Sequence, residues 1–191
     1  MASRGGYRPE GSDGSDHWHR ESIAWQYKIS SINKGRLRLA LFLHILIGLI
    51  MFGRLLPGIS GMFGFTVISL RRLDLPHPRP WEYAWLISLV AAVIGWRSTP
   101  QNNMFLLKQF VLGVVVFGLA PILFGFFDLK RDILLYLQER KYTFEMFGFP
   151  AVLLWSAFLV ISLQIHAFSL YFSYVLLRAW RPRVAEKSKA R

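Results

Sequence analysis

Polar and apolar positions in this chain separate into long blocks rather than short periods. Leu39–Gly53, Tyr83–Trp96, Gln109–Phe127 and Met146–Leu177 contain no Asp, Glu, Lys or Arg. A helix needs about 20 predominantly apolar residues to cross the hydrocarbon of a bilayer. The pattern therefore predicts an all-α membrane protein with four transmembrane helices, at about 37–56, 81–98, 104–127 and 149–174, joined by short connectors. Residues 1–36 form an N-terminal tail, 37–177 the transmembrane domain and 178–191 a basic C-terminal tail.

Finer texture modifies each block. The first 16 residues or so are rich in Gly, Ser and Asp, a composition that predicts disorder. Trp18, Trp25, Ile29 and Ile32 then recur at helical spacing among Arg20, Lys28 and Lys34. Such a segment suits either an amphipathic helix on an anionic membrane surface or a plain lead-in to the first span. Leu55–Leu70 is uncharged but carries Pro57, Gly58, Gly61 and Gly64, which predicts a broken, re-entrant or interfacial segment rather than a fifth span. The run Leu75–Pro80 reads as an extended connector. The uncharged part of the second span reaches only roughly 21 Å, so both flanks must be recruited to it. Within it, Ser88/Ala92 and Ala91/Gly95 place small residues four apart, which allows close helix approach. Pro121 inside the third span predicts a kink, and Asp128–Met146 a charged connector with a short helical pattern.

Charge orients these elements. The 191 residues are 53% hydrophobic and carry a net charge of +12. In a soluble chain that charge would suggest nucleic acid, but here the basic residues flank spans as topology signals, so no nucleic-acid partner is expected. With four spans the termini share a side, which holds fifteen Lys and Arg against eight on the other. That excess predicts both termini in the cytosol. Arg38 and Arg54 fall near the two ends of the first span, where long side chains snorkel. Cysteine is absent, which removes disulfides and thiol chemistry, and none of Asn33, Asn102 and Asn103 starts a glycosylation sequon. The opening MASRGG has neither a signal-peptide pattern nor a myristoylation glycine after Met1, so the first span is expected to direct insertion.

Chemistry inside the spans is sparse. His44 lies in the first, Gln164 and His166 in the fourth, while Lys108 is near enough to an end to snorkel. An ionisable group at membrane depth is a functional hypothesis by default. A catalytic or metal-binding pair of His44 and His166 would need an acid partner or a third ligand. Hydrogen bonding between helices is the reading preferred for His44, Gln164 and His166. No nucleotide loop, zinc-protease signature or nucleophile elbow is present. No catalytic, cofactor-binding or metal-binding residue is assigned, and no cofactor is expected.

The chain ends Lys187-Ser188-Lys189-Ala190-Arg191. Lysines third and fifth from a C-terminus fit the KxKxx retrieval signal that the COPI coat reads on cytosolic tails, an address rather than an anchor. Lys187, Lys189 and Arg191 are thus the candidate retrieval motif, and COPI the candidate partner.

Several ordered segments together resemble the Jagunal family of four-span endoplasmic-reticulum membrane proteins. They are MASRGG at 1–6, GSDGSDHWHRE at 11–21 with Ala24, Tyr27 and Ser30, WEY at 81–83, Asn102-Asn103, GLAPILFG at 118–125 and QIHAFSLYFS at 164–173. The first span and residues 54–80 match weakly, and Gln101 stands where a basic residue is expected. The resemblance implies a non-enzymatic, multi-pass protein of the endoplasmic-reticulum membrane that supports reticulum organisation and vesicle-mediated traffic in the secretory pathway. Its partners would be the bilayer, COPI and secretory client or membrane proteins. The alternative is a membrane-embedded lipid-modifying enzyme or small carrier using His44 and His166.

Overall fold

The computed structural model describes residues 15–64 and 75–180 of the chain. The predicted disorder of the first residues, positions 65–70 of the predicted re-entrant segment and the whole KSKAR end lie outside the described residues.

Helix α1 runs unbroken over Ser15–Met62, about 72 Å at 1.5 Å per residue and more than twice the hydrocarbon thickness. The Trp18–Ile32 segment and the first predicted span are therefore one helix. The expected break at Pro57 and Gly58 is absent. Pro57 forfeits one backbone hydrogen bond near the end of the helix, and the Ser60 hydroxyl donates to the Pro57 carbonyl at 3.0 Å. Gly58 lets α1 approach the next element: a Cβ there would lie 2.3 Å from the Tyr83 hydroxyl.

The second predicted span is two helices, α2 (Pro80–Leu86) and α3 (Ser88–Ser98). They meet at Ile87, whose N–H bonds back to Ala84 while its carbonyl accepts from Val90, a tighter i to i−3 pattern. Together they make about 28 Å of helix. Three other helical segments are individually long and apolar enough to cross a bilayer: Ala24–Met62, Met104–Glu139 and Ala151–Trp180. The all-α membrane class holds.

The tight connector after α3 ends in Asn103, whose side chain accepts from the N–H groups of Phe105 and Leu106 and caps α4 (Met104–Gly113). Removing this cap by Asn103→Ala is expected to cost about 0.5–2 kcal/mol, read as a lower unfolding midpoint in detergent micelles. Beyond α4 the helix widens into a π segment, Val114–Leu119, before α5 (Ala120–Glu139). Pro121 has no N–H to give, and the Ala120 N–H reaches five residues back to Val115. The local answer to the proline is a π-bulge in a continuous helix.

Helix α5 continues past Asp128 to Glu139, so most of the expected connector is helical. A left-handed Arg140 ends it. A two-stranded hairpin follows, β1 (Glu145–Met146) pairing antiparallel with β2 (Phe149–Pro150). Phe147 and Gly148, both at positive φ (55° and 79°), form its turn. Helix α6 (Ala151–Trp180) closes the chain and packs most extensively along α1.

The core divides along the bundle axis. Leu37, Leu41, Leu107, Phe110 and Leu176 fill the end nearer the termini. Met51, Leu55, Trp81, Trp85, Trp155 and Leu159 fill the other. The small residues of α3 act as expected: Gly95 lies against Phe110 and Leu41, and Gly113 of α4 against Ala91.

Candidate functional site

Between the two apolar clusters lies a polar layer. His44 of α1 and His166 of α6 are both fully buried, and their rings meet edge to face with centroids 4.6 Å apart. The tight turn at Ile87 brings Ser88 to the start of α3, where its hydroxyl lies 2.8 Å from His44 Nε2. Trp85 of α2 donates its indole N–H to His166 Nε2 at 3.1 Å. That bond makes Nε2 the acceptor, so the neutral His166 ring carries its proton on Nδ1. Four elements thus share two hydrogen bonds at one level of the bundle.

The π segment, a fifth element, closes the layer on one side. Gly118 faces the His166 ring so closely that a Cβ on it would stand 2.9 Å from Nε2. Only a glycine on this stretch admits the imidazole.

Helix α6 extends the polar layer with a stripe that the reading of the sequence missed. Ser162, His166, Ser169 and Ser173 are all fully buried, at spacings of four, three and four residues. Ser169 donates to the carbonyl of Ile165 at 2.7 Å. The helical spacing of the serines was the available signal. Small residues of this kind allow close approach between membrane helices.

The end of the bundle away from the termini carries ion pairs. Arg54 bonds Glu82 at 3.3 Å and also donates to the Pro76 carbonyl. The Glu82 side chain is completely buried. Arg79 holds Asp128 and Asp132 of α5, each at 2.7 Å. Burial works against the Arg79 charge, but hydrogen bonds and attraction from the two carboxylates outweigh it and push its pKa up. Both guanidinium groups lie over Trp155, at 5.5 Å for Arg54 and 4.6 Å for Arg79. Arg54, expected to snorkel, is instead a member of this cluster.

Toward the termini, Arg38 donates to the Thr99 hydroxyl at 3.0 Å. Trp180 donates to Ser30 at 2.9 Å, and Lys34 lies over the Trp180 ring. The first contact ties α1 to the end of α3, and the other two fasten the lead-in of α1 to the end of α6.

Of the residues singled out in the sequence, His44 and His166 are brought together. Gln164, two residues from His166, faces outward instead. Lys187, Lys189 and Arg191 lie outside the described residues. Among the described residues no carboxylate bonds either histidine, and no group of three His, Cys, Asp or Glu side chains converges. As arranged, each ring's Nε2 is engaged in a contact between helices, and among the described residues neither ring is given a carboxylate of the kind that orients a catalytic base.

These features define a helical membrane protein whose bundle is joined by a buried polar layer and a charged rim. The chain belongs to the Jagunal family: the family pattern, described as "Jagunal, ER re-organisation during oogenesis", matches residues 1–184. It is 31% identical to Protein jagunal of Drosophila pseudoobscura pseudoobscura over 98% of both chains. Identity is 33% with Protein jagunal homolog 1 of Mus musculus, covering 99% of this chain and 100% of that one. With Protein jagunal homolog 1 of Homo sapiens it is 32%, over 98% of each. The family is tied to the endoplasmic reticulum, and none of these relatives bears an enzyme's name.

Proposed function

We propose that the chain is a four-span, non-enzymatic organiser of the endoplasmic-reticulum membrane that acts in vesicle-mediated secretory transport as an adaptor. The observation that carries this reading is the family match over nearly the whole chain. In this reading α2 and α3 cross the bilayer together and both termini face the cytosol, in keeping with the excess of Lys and Arg on that side. The bundle is the mounting, and the tails recruit: Lys187 and Lys189 bind COPI, and the start of α1, continuous with the first span, projects from the bilayer on the same side. Client membrane or secretory proteins would be held along the helices.

Replacing Lys187 and Lys189 together with Ser is expected to shift a fluorescently tagged protein from the reticulum to later secretory compartments. The tag must sit away from the C-terminus, since the signal is read with a free carboxylate. Unchanged reticulum residence would remove this tail as the retention device.

The meeting of His44 and His166 favours a second reading, a lipid-modifying or carrier role. It ranks second because both Nε2 atoms already hold the bundle together.

A further inference from the structure

The extension of α5 beyond the third apolar block carries two faces of different chemistry. Asp128 and Asp132, one turn apart, turn inward to Arg79. Lys130 and Arg131 are exposed, and neither pairs with a carboxylate among the described residues. These two cations line a shallow, open groove along the outer face of α5 together with Phe127, Leu134, Leu135 and Gln138, all on that one helix. Phe127 is 76% exposed and Leu134 44%, so the groove is apolar as well as basic.

Depth along the helix gives this groove a meaning. Phe127 is the last residue of the uncharged block, so it marks the edge of the hydrocarbon. Lys130 and Arg131 follow about 5–6 Å further along the axis. The headgroup layer on each side of a bilayer is about 5–8 Å deep, which puts both cations level with the lipid phosphates. Arg79 hydrogen-bonds both neighbouring carboxylates and offsets one of their two charges, so that together with Lys130 and Arg131 this end of α5 keeps one net positive charge.

We infer that this groove is a binding site for one anionic phospholipid in the leaflet opposite the termini. The phosphate and the second negative group of the headgroup sit between Lys130 and Arg131. An acyl chain descends along Phe127, and Leu134 and Leu135 wall the groove on the aqueous side. Two cations at one height select a net-negative headgroup over a zwitterionic one.

The test uses the full chain in phosphatidylcholine vesicles containing a trace of photoactivatable phosphatidylserine or its phosphatidylcholine counterpart, with adducts mapped by mass spectrometry. The serine lipid is expected to label the 127–138 stretch about tenfold more than the choline lipid, the preference weakening as salt is raised. The double variant K130Q/R131Q should bring that labelling down to the choline level while labelling of the basic lead-in of α1 stays unchanged. The swap K130R/R131K keeps both charges and should retain the preference. Equal labelling by the two lipids in the unaltered protein would overturn the inference, as would a preference that survives K130Q/R131Q.

Discussion

Arg54→Ala is expected to destabilise the protein by about 3–5 kcal/mol, because it strands a buried carboxylate without its partner. Glu82 is wholly enclosed, and Arg54 is the cation that pairs with it. Removing Arg54 also takes away a donor to the Pro76 carbonyl and one of the two cations over Trp155. The effect should appear as a lower midpoint of unfolding in detergent, followed by tryptophan fluorescence. Glu82→Gln should cost less, since the amide can still accept from Arg54 and carries no charge to strand. Arg54→Met combined with Glu82→Met should recover most of the loss, since exchanging a buried pair for packed apolar groups is often neutral. If Arg54→Ala leaves the midpoint where it was, the pair is solvated in the membrane and does not clamp α1 to α2.

The distribution of charge along the chain made much of this architecture legible. Blocks free of Asp, Glu, Lys and Arg mark membrane-buried helix because burying such a group unpaired is costly, whatever the neighbours do. Breaks were harder to read. Pro57 looks like a terminator, yet helix passes through it, since one lost hydrogen bond near a helix end is a small matter beside the packing of the turns around it. Ile87 looks like an ordinary span residue, yet the helix is re-set there. The turn there is followed by Ser88, which meets His44 in a contact 44 residues away in sequence that no local pattern encodes.

The same limit governed the site. His44 and His166 stood out by residue type, and burial followed from their place in the spans. Their meeting depends on the way α6 lies along α1, on a face where Ser162, Ser169 and Ser173 are buried beside His166. Gln164 shows the complementary point. A polar residue two positions from His166 points away from it because a helix turns about 200° in two residues. Arg54 and Glu82 fall near the ends of two different predicted spans, and only the fold pairs them.

Gly118→Val is expected to be among the most damaging single substitutions inside the bundle. Its first side-chain carbon would have to occupy space 2.9 Å from His166 Nε2, and the ring is held in place by the Trp85 N–H and the edge of His44. Either the ring leaves its bond to Trp85, stranding a buried indole N–H, or the π segment moves away from α6. Overpacking of this kind costs about 1–3 kcal/mol, and leaving a buried donor unpaired about as much again. His166→Ala removes the obstruction, so Gly118→Val combined with His166→Ala should be less harmful than the sum of the two alone. Such non-additivity in unfolding midpoints would place His166 and Gly118 in direct contact; plain additivity would separate them. The same pair of variants divides the two readings of the histidines. If His166 serves packing, His166→Ala lowers abundance and stability, and reticulum organisation in cells falls only in proportion. Cells carrying normal amounts of folded His166→Ala protein, yet with disturbed secretion, would instead give the histidines a chemical role.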